Sequence, residues 1–368
     1  MAEVTLSDLT KEYGDLTAVD ALDLSVDDGE LLCLLGPSGC GKSTTLRMLG
    51  GLETPTGGDV HIGGTEATDL PPYERETSMV FQSWALFPHK SVLENVAFGL
   101  KMDGVDGDER RERAREMLDV VEMGEFADHD PEDLSGGQKQ RVALARSLAI
   151  EPDVLLLDEP LSNLDKRLRE QMQLELRNIH DEVETTFVHV THDQNEAFTL
   201  ADSIAIMNDG EIEQVGEPRE VYDDPTSLFV EEFLGDTNLV AAEAAATDGG
   251  VRASTEFDTE IALPVSEDAV SAGDALTVSF RPEDLDVERV DENAGAADDA
   301  SALTGTVTDV LYRGSSVRFY VEIAGESVFF ERSVGNADFD TDDRVRVSWN
   351  TDDLLVFAGG DRVGGGTP

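Results

Sequence analysis

A glycine-rich segment with lysine and hydroxyl side chains at fixed spacing occupies residues 36–44, GPSGCGKST. It follows the apolar run 31–35, which is predicted as a buried strand. Glycine allows the tight turn that directs backbone N–H groups at phosphates, and a helix opening near Ser43 adds its positive end. Lys42 can reach the β- and γ-phosphates, and Ser43 can ligate Mg²⁺. The segment predicts nucleoside triphosphate binding by Gly36, Pro37, Ser38, Gly39, Cys40, Gly41, Lys42, Ser43 and Thr44.

A second motif, Leu134-Ser135-Gly136-Gly137-Gln138, stands directly before a predicted helix. Its backbone N–H groups and the Ser135 hydroxyl would lie at the positive helix end and form a second anion site. One chain cannot easily direct both anion sites at the same phosphate. We therefore expect two copies arranged head to tail, each completing the nucleotide pocket of the other.

The elements that position these motifs alternate between strands and helices up to about residue 234. Short apolar runs at 78–82, 154–158 and 187–190 predict strands of a largely buried sheet. Composition and period predict helices at 110–121 and 138–149, and a further helical period runs from Leu164 to Val183. Asn208-Asp209-Gly210 between two apolar runs predicts a hairpin over 203–215. The first 234 residues therefore predict an α/β domain.

After Gly235 the pattern of the sequence changes. Lysine is absent, helical periodicity is lost, and alternation of the kind seen at Val317, Phe319, Val321 and Ile323 takes over. Residues 235–368 are predicted to form a second, all-β domain. Within it, residues 290–302 are expected to be a solvated loop and residues 364–368 a disordered tail.

The net charge of the chain is extreme. Its 368 residues contain 79 Asp plus Glu against 27 Lys plus Arg, a formal charge of −52, and six lysines. Self-repulsion of this size weakens the compact state in dilute buffer and is screened at molar salt. Because the acids are spread along the whole chain, we infer a salt-loving source organism; an acidic surface for basic partners is the alternative.

Apolar runs and cysteine usage indicate the compartment. No apolar run approaches the roughly 20 residues that span a bilayer, and Met1-Ala2-Glu3 does not resemble a targeting segment. We expect a soluble, intracellular protein. The two cysteines, Cys33 and Cys40, are expected to be reduced thiols without a chemical role.

The order and spacing of these motifs resemble those of the ATP-binding cassette family. Its signature is the string at 134–138, and Tyr13, Gln82, the string Leu155-Leu156-Leu157-Asp158-Glu159-Pro160, Asp165 and His192 follow the family's order. The β-rich tail resembles the TOBE-type domain that follows the cassette in many import ATPases, most visibly at 281–284, RPED. The resemblance implies a P-loop NTPase fold with a RecA-like core, a helical subdomain at about 89–152, and an OB-like accessory domain.

The resemblance also implies a role for each matching residue, with ATP and Mg²⁺ as cofactors. Glu159 would be the general base and Asp158 would hold Mg²⁺, directly or through water. Gln82 would bridge Mg²⁺ and the attacking water, His192 would contact the γ-phosphate, and Tyr13 would stack on adenine. Residues 135–138 would complete the pocket of the partner copy: Ser135, Gly136, Gly137 and Gln138. The alternatives are a structural ion pair for Glu159, an ordinary polar strand end for Gln82 and a lone surface tyrosine for Tyr13.

Asn163 and most of the histidines do not follow the family's motifs. Asn163 stands where the family frequently has a small alanine, at a loop expected to lie between the two copies, while Asp165 is intact. Apart from His192, the histidines match no motif and are expected to be surface or core residues. They are His61, His89, His129, His180 and His189.

Three functional classes use such a cassette: import ATPases, export ATPases, and soluble machines that act on DNA or the ribosome. No apolar segment of the chain resembles a fused membrane domain. A surface that binds nucleic acid needs basic residues, and because the chain is strongly acidic, no nucleic acid is expected. We expect an import subunit at the cytoplasmic face of the membrane. It would form a homodimer or pair with a paralogous cassette, and bind two integral membrane permeases that work with an extracellular solute-binding protein.

The transported solute is indicated only by resemblance. The strings ALFPH at 85–89, LREQMQLEL at 168–176 and FLGDTN at 233–238 look most like those of spermidine and putrescine importers. Ferric iron, sugar and oxyanion import are the alternatives. The second domain is left with three roles, as a spacer, a dimer surface or a regulatory binding site.

Overall fold

The computed structural model describes residues 2–183, 185–247, 250–290, 301–336 and 338–365. The chain forms two compact units, Met1–Val221 and Tyr222–Pro368. Most of the predicted loop at 290–302 lies outside the described residues, as do residues 366–368 of the predicted tail. The prediction of disorder is wrong for Gly364 and Gly365, which belong to the last strand and pair with its neighbour.

The strands of the first unit build two sheets. They are β1 Val4–Tyr13, β2 Leu16–Val26, β3 Leu31–Leu35, β4 Gly57–Ile62, β5 Thr65–Glu66, β6 Thr77–Val80, β7 Val154–Asp158, β8 Thr186–Thr191, β9 Ser203–Asn208 and β10 Glu211–Gly216. One sheet is antiparallel in the order β2-β1-β4-β5, and the other has the order β10-β9-β3-β8-β7-β6. The hairpin of β9 and β10 turns at Asp209 and Gly210, both at positive φ, as the sequence predicts.

The six-stranded sheet determines where the functional side chains lie. Strands β9, β3, β8, β7 and β6 are parallel neighbours, and all five residues of β3 and of β7 are buried. Their apolar runs therefore face packed layers on both sides of the sheet. The carboxyl ends of β3, β8, β7 and β6 meet along one edge, where open parallel sheets bind ligands.

The helices of the described residues fall mainly in the first unit. They are α1 Lys42–Leu49, α2 Val92–Val96, α3 Phe98–Met102, α4 Gly107–Val120, α5 Gly136–Leu148, α6 Lys166–Glu182, α7 Gln194–Leu200, α8 Pro218–Asp223 and α9 Leu228–Leu234. Helices α2 to α5 lie in the range expected for a helical subdomain. No helix in the described part of the chain combines the length and the apolar composition needed to cross a membrane.

The second unit contains two antiparallel sheets. Its strands are β11 Asn238–Thr247, β12 Gly250–Thr255, β13 Glu260–Leu263, β14 Ala275–Phe280, β15 Asp286–Arg289, β16 Ala302–Tyr312, β17 Ser316–Ile323, β18 Glu326–Ser333, β19 Arg344–Ser348, β20 Leu355–Ala358 and β21 Asp361–Gly365. The sheet orders are β13-β12-β11-β14-β20-β21 and β15-β19-β16-β17-β18. Val317, Phe319, Val321 and Ile323 alternate into the core as the sequence predicts.

Helix α9 belongs to this second compact unit. The buried Glu231 of α9 pairs with Arg281, whose guanidinium Nη2 lies 2.7 Å from the Glu231 carboxylate. Ser279 of β14 donates to the same carboxylate at 2.7 Å. The compact units thus divide upstream of residue 234, at which the sequence predicts the end of the cassette, because α9 bonds to β14 and the residue that follows it.

Candidate active site

The glycine-rich loop follows β3 and leads into α1. Gly39 and Gly41 have φ of 88° and 107°, which favours glycine, and a Cβ on Gly39 would meet nothing within 4 Å. A Cβ on Gly36 would lie 2.1 Å from Met207 O, so the loop is also pressed against β9 at its start. This compact loop, open to its outer side at the beginning of a helix, fits a phosphate group.

Lys42 is buried within this loop. Its Nζ donates to Gly36 O at 2.7 Å and to Pro37 O at 2.8 Å, and it lies 3.6 Å from Cys40 Sγ. The ammonium is therefore held by backbone carbonyls at the phosphate-binding loop. It provides a fixed positive charge at the point where the sequence places the phosphates.

The predicted Mg²⁺ ligands Ser43 and Asp158 meet at the edge of the sheet. Ser43 Oγ at the start of α1 donates to Asp158 Oδ1 at 2.8 Å, and Asp158 ends β7 with 7 % exposure. Arg47, which the sequence analysis missed, lies 3.9 Å from the other carboxylate oxygen. Hydroxyl and carboxylate oxygens fit Mg²⁺, which in such sites takes its other ligands from phosphate and water.

Glu159 stands at the centre of the predicted catalytic residues. Its Oε1 lies 3.1 Å from His192 Nδ1, and its Oε2 accepts from Gln82 Nε2 at 3.4 Å. Glu159 is 33 residues from His192 and 77 residues from Gln82 in the sequence. The three side chains meet because β8, β7 and β6 are neighbours in the sheet. Glu159 has φ of 45°, an uncommon conformation for a residue with a side chain and one that concentrates at functional sites.

Two further residues hold Gln82, and sequence reasoning missed both contacts. Ser162 Oγ accepts from Gln82 Nε2 at 3.1 Å, and Asn163 Nδ2 donates to Gln82 O at 2.9 Å. Asn163 therefore has a partner within its own chain, in addition to any role between copies. Its unusual place in the Ser162-Asn163-Leu164-Asp165 string was the signal that could have pointed to it.

The signature segment forms the N-terminal cap of α5. Ser135 Oγ accepts from Gln138 N at 3.4 Å, and Gln138 Oε1 accepts from Ser135 N at 2.9 Å, which forms a capping box. A Cβ on Gly136 would lie 3.4 Å from Leu164 and from Trp84. Ser135 is exposed, so its hydroxyl and the helix end can meet a group outside the chain.

Tyr13 and Asp165 complete the predicted set. Tyr13 ends β1, is 46 % exposed, and has Lys11 Nζ 4.9 Å above its ring centroid. Its ring is thus available for stacking on a base. Asp165 is the N-cap of α6 and accepts from Leu168 N at 3.1 Å.

The loop after Gln82 borders a groove. Trp84 and Ala85 have positive φ of 58° and 46°, and Arg146 Nη1 and Nη2 donate to Ala85 O and Trp84 O at 2.7 and 2.9 Å. The groove measures about 170 Å³ and is lined by Ser83, Trp84, Leu86, Pro88, Pro131, Glu132 and Lys139. It lies between the loop after Gln82 and the segment just before the signature.

Comparison with known families and proteins agrees with this geometry. Residues 19–162 match the ABC transporter family, and residues 278–357 match the TOBE domain. The spermidine/putrescine import ATP-binding protein PotA of Mannheimia succiniciproducens is 42 % identical over 352 residues, covering 94 % of this chain and 93 % of that protein. The xylose/arabinose import ATP-binding protein XacJ of Haloferax volcanii is 47 % identical over 306 residues, covering 81 % and 78 %.

A solved structure extends the comparison to the cassette fold. The ATP-binding cassette MJ0796, in a dimeric post-hydrolysis state bound to ADP and Pi, superposes with a TM-score of 0.52 at 37 % identity. The match covers 59 % of this chain and 99 % of that chain. The P-loop α/β fold, the residues gathered around Glu159 and these relatives agree: the chain belongs to the ABC transporter family.

Proposed function

We propose that this chain is the ATP-hydrolysing subunit of an importer for spermidine and putrescine. The observation that supports the solute most directly is the similarity to PotA, at 42 % identity over 94 % of the chain. Similar identities, of 44 % and 43 %, relate it to the proteins of the same name from Ruegeria pomeroyi and Thermobifida fusca. The sequence strings at 85–89, 168–176 and 233–238 favour the same solute.

In the proposed reaction Glu159 accepts the proton of the water that attacks the γ-phosphorus. The new O–P bond forms as the bond to the β-phosphate oxygen breaks, and ADP and phosphate leave. His192 and Gln82 each lie against one oxygen of the Glu159 carboxylate and so fix its orientation toward the water. Mg²⁺, held by Ser43 and Asp158, would neutralise charge on the β- and γ-phosphates.

We further propose that two copies share each nucleotide pocket. Ser135 is exposed at the positive end of α5, and a dimeric cassette is among the similar structures. A mixture of Ser135→Arg and Lys42→Ala chains should then regain ATPase activity, since one of the two pockets in the mixed dimer is intact. A mixture no faster than the separate variants would refute the shared pocket.

The partner proteins would be two membrane permeases, with a solute-binding protein on the outer side, and the chain would lie at the cytoplasmic face. The groove lined in part by Trp84, Leu86 and Pro88 offers an apolar surface beside the Gln82 loop. A short helix of a permease would fit such a groove. Contact there would link membrane movement to the residues around Glu159.

The solute is tested by uptake in the source organism after deletion of this gene. Labelled spermidine and putrescine uptake should fall and should return with the wild-type gene but not with the Glu159→Gln gene. Xylose and arabinose are measured in the same cells, because the similarity to XacJ favours pentose import as the second candidate. Unchanged polyamine uptake in cells without another polyamine importer, with lost pentose uptake, would replace the first proposal by the second.

A further inference from the structure

A buried histidine of the six-stranded sheet and a buried glutamate of helix α7 form a polar pair. His189 of β8 has 0 % exposure, Glu196 in the first turn of α7 has 3 %, and His189 Nε2 lies 2.5 Å from Glu196 Oε1. Since a carboxylate only accepts, Nε2 is the donor. His189 Nδ1 has no hydrogen-bond partner among the described residues.

The apolar surroundings of this pair make its burial unfavourable. His189 lies between Cys33 of β3 and Leu157 of β7 in the parallel register, and both neighbours are buried. Burial, followed by the charge of Glu196, raises the pKa of the Cys33 thiol. A polar pair in such a layer gains little stability over an apolar pair of similar size. Stability alone therefore does not account for it.

The His189–Glu196 pair connects the two ends of the turn that contains His192. His189 precedes this turn on β8, and Glu196 follows it on α7, so their hydrogen bond joins the two sides. Asp193, in the turn, caps α7 by accepting from Glu196 N at 3.3 Å and pairs with Arg169 at 3.1 Å. Glu196 is thus bonded to the strand through its side chain and to the turn through its backbone.

The same strand also supports the proposed base. Val190 O, next to His189, accepts from Glu159 N at 3.1 Å, beside the strained φ of 45° at Glu159. The side chains of Glu159 and His192 then meet at 3.1 Å. A displacement of β8 relative to α7 would change both ends of this contact.

We infer that the His189–Glu196 pair is a positioning device that sets His192 against Glu159 for hydrolysis. The inference rests on the proposed ATPase function. His189 and Glu196 are both buried, so they act through His192. Their loss should slow turnover while leaving ATP affinity, which depends on the P-loop and Tyr13, nearly unchanged.

The test uses His189→Phe, which keeps the bulk of the side chain and removes the donor. Glu196→Gln is the conservative variant, because its amide oxygen still accepts from His189. His180→Phe is the matched control: His180 is also buried, bonds Gly29 O at 3.1 Å and packs on Phe187 of the same strand β8. Each variant is measured for melting temperature, ATP affinity and kcat.

We expect His189→Phe to lower kcat by about tenfold or more, as misplacement of a catalytic group does, with ATP affinity retained. Glu196→Gln should keep most of the wild-type kcat, and His180→Phe should keep all of it. In the nucleotide-free chain, the imidazole NMR signal assigned to His192 should shift in His189→Phe and stay in place in His180→Phe. Should His189→Phe fold too poorly to be measured, Glu196→Ala compared with Glu196→Gln gives the same contrast.

The decisive step repeats His189→Phe in a His192→Ala background. If the pair acts through His192, the second substitution adds little to the first. A slow His192→Ala chain that loses a further tenfold or so on addition of His189→Phe would overturn the positioning role alone. Wild-type turnover in His192→Ala would overturn the role of His192 in the proposed function, and the positioning role with it.

Discussion

At the scale of single residues, Gly41 combines a positive φ with close contacts. An added Cβ would lie 2.4 Å from Ala18 O and 2.6 Å from Met207 Cε, at φ of 107°. Gly41→Ala should therefore distort the loop and lower ATP affinity by about fivefold or more, because strain of this kind is worth about 1–3 kcal/mol. Isothermal titration with ATP measures the change.

Gly235→Ala is the control for this prediction. Gly235 has φ of −150°, and an added Cβ would meet nothing within 4 Å, so ATP affinity should stay at the wild-type value. A Gly41→Ala chain that folds and binds ATP as tightly as Gly235→Ala would contradict the role given to Gly41.

The sequence predicted the residues around Glu159 but not the contacts that hold them. Gln82, Glu159 and His192 were singled out by motif, and the parallel strands before them bring their side chains together. Ser162 and Asn163 were missed as partners of Gln82, and His189 was predicted to be an ordinary surface or core residue. Such contacts depend on which strands are neighbours and on side-chain direction, and neither follows from local periodicity.

At the scale of elements, Glu231 of α9 forms a buried ion pair with Arg281, the residue that follows β14 in the second unit. Arg281 Nη2 contacts Glu231 Oε2 at 2.7 Å and Tyr222 O at 2.5 Å, and its guanidinium lies 4.4 Å over the Tyr222 ring. Arg281→Met would leave the Glu231 carboxylate buried without its cation. The second unit should then lose about 3–5 kcal/mol of unfolding free energy.

Urea unfolding followed by Trp349 fluorescence in a Trp84→Phe background reports on this unit, since the chain has two tryptophans. Arg289→Met is the matched control, because Arg289 pairs with Asp343 at the surface with 53 % of its side chain exposed. Arg289→Met should change stability little. Equal unfolding midpoints for the two variants would refute a structural role for the buried pair.

Several strands and helices of the cassette were predicted close to their observed bounds. Val154–Asp158 was predicted with the bounds that the structure has, and α4 and α5 differ from prediction by a few residues at most. The place of α9 was not predictable from its own sequence, because Ser279 and Arg281, the partners of Glu231, lie about 50 residues later, in β14 and directly after it. Pairing between distant segments is a tertiary property, which the pattern within one segment does not contain.

At the scale of the whole molecule, a formal charge of −52 predicts strong salt dependence. The Debye length falls from about 10 Å at 0.1 M salt to about 3 Å at 1 M, so repulsion among the carboxylates is screened. The melting temperature should rise steeply with KCl between these concentrations. The salt-loving source remains a prediction that this measurement supports or opposes.

Sucrose at matched osmolality is the control, because it strengthens burial by exclusion from the surface without screening charge. KCl should raise the melting temperature well beyond the effect of sucrose. A melting temperature that is flat in KCl, or that rises equally in sucrose, would count against charge repulsion as the cause.

We propose that Glu159, held by Gln82 and His192, is the base for ATP hydrolysis. The most direct measurement is magnesium-dependent ATP hydrolysis by wild type and by Glu159→Gln, with ATP binding measured in parallel at high salt. We expect near-equal ATP affinity and a turnover at least about a hundredfold slower in Glu159→Gln, because the amide cannot accept the proton. Near-wild-type turnover by Glu159→Gln with intact ATP binding would contradict the account.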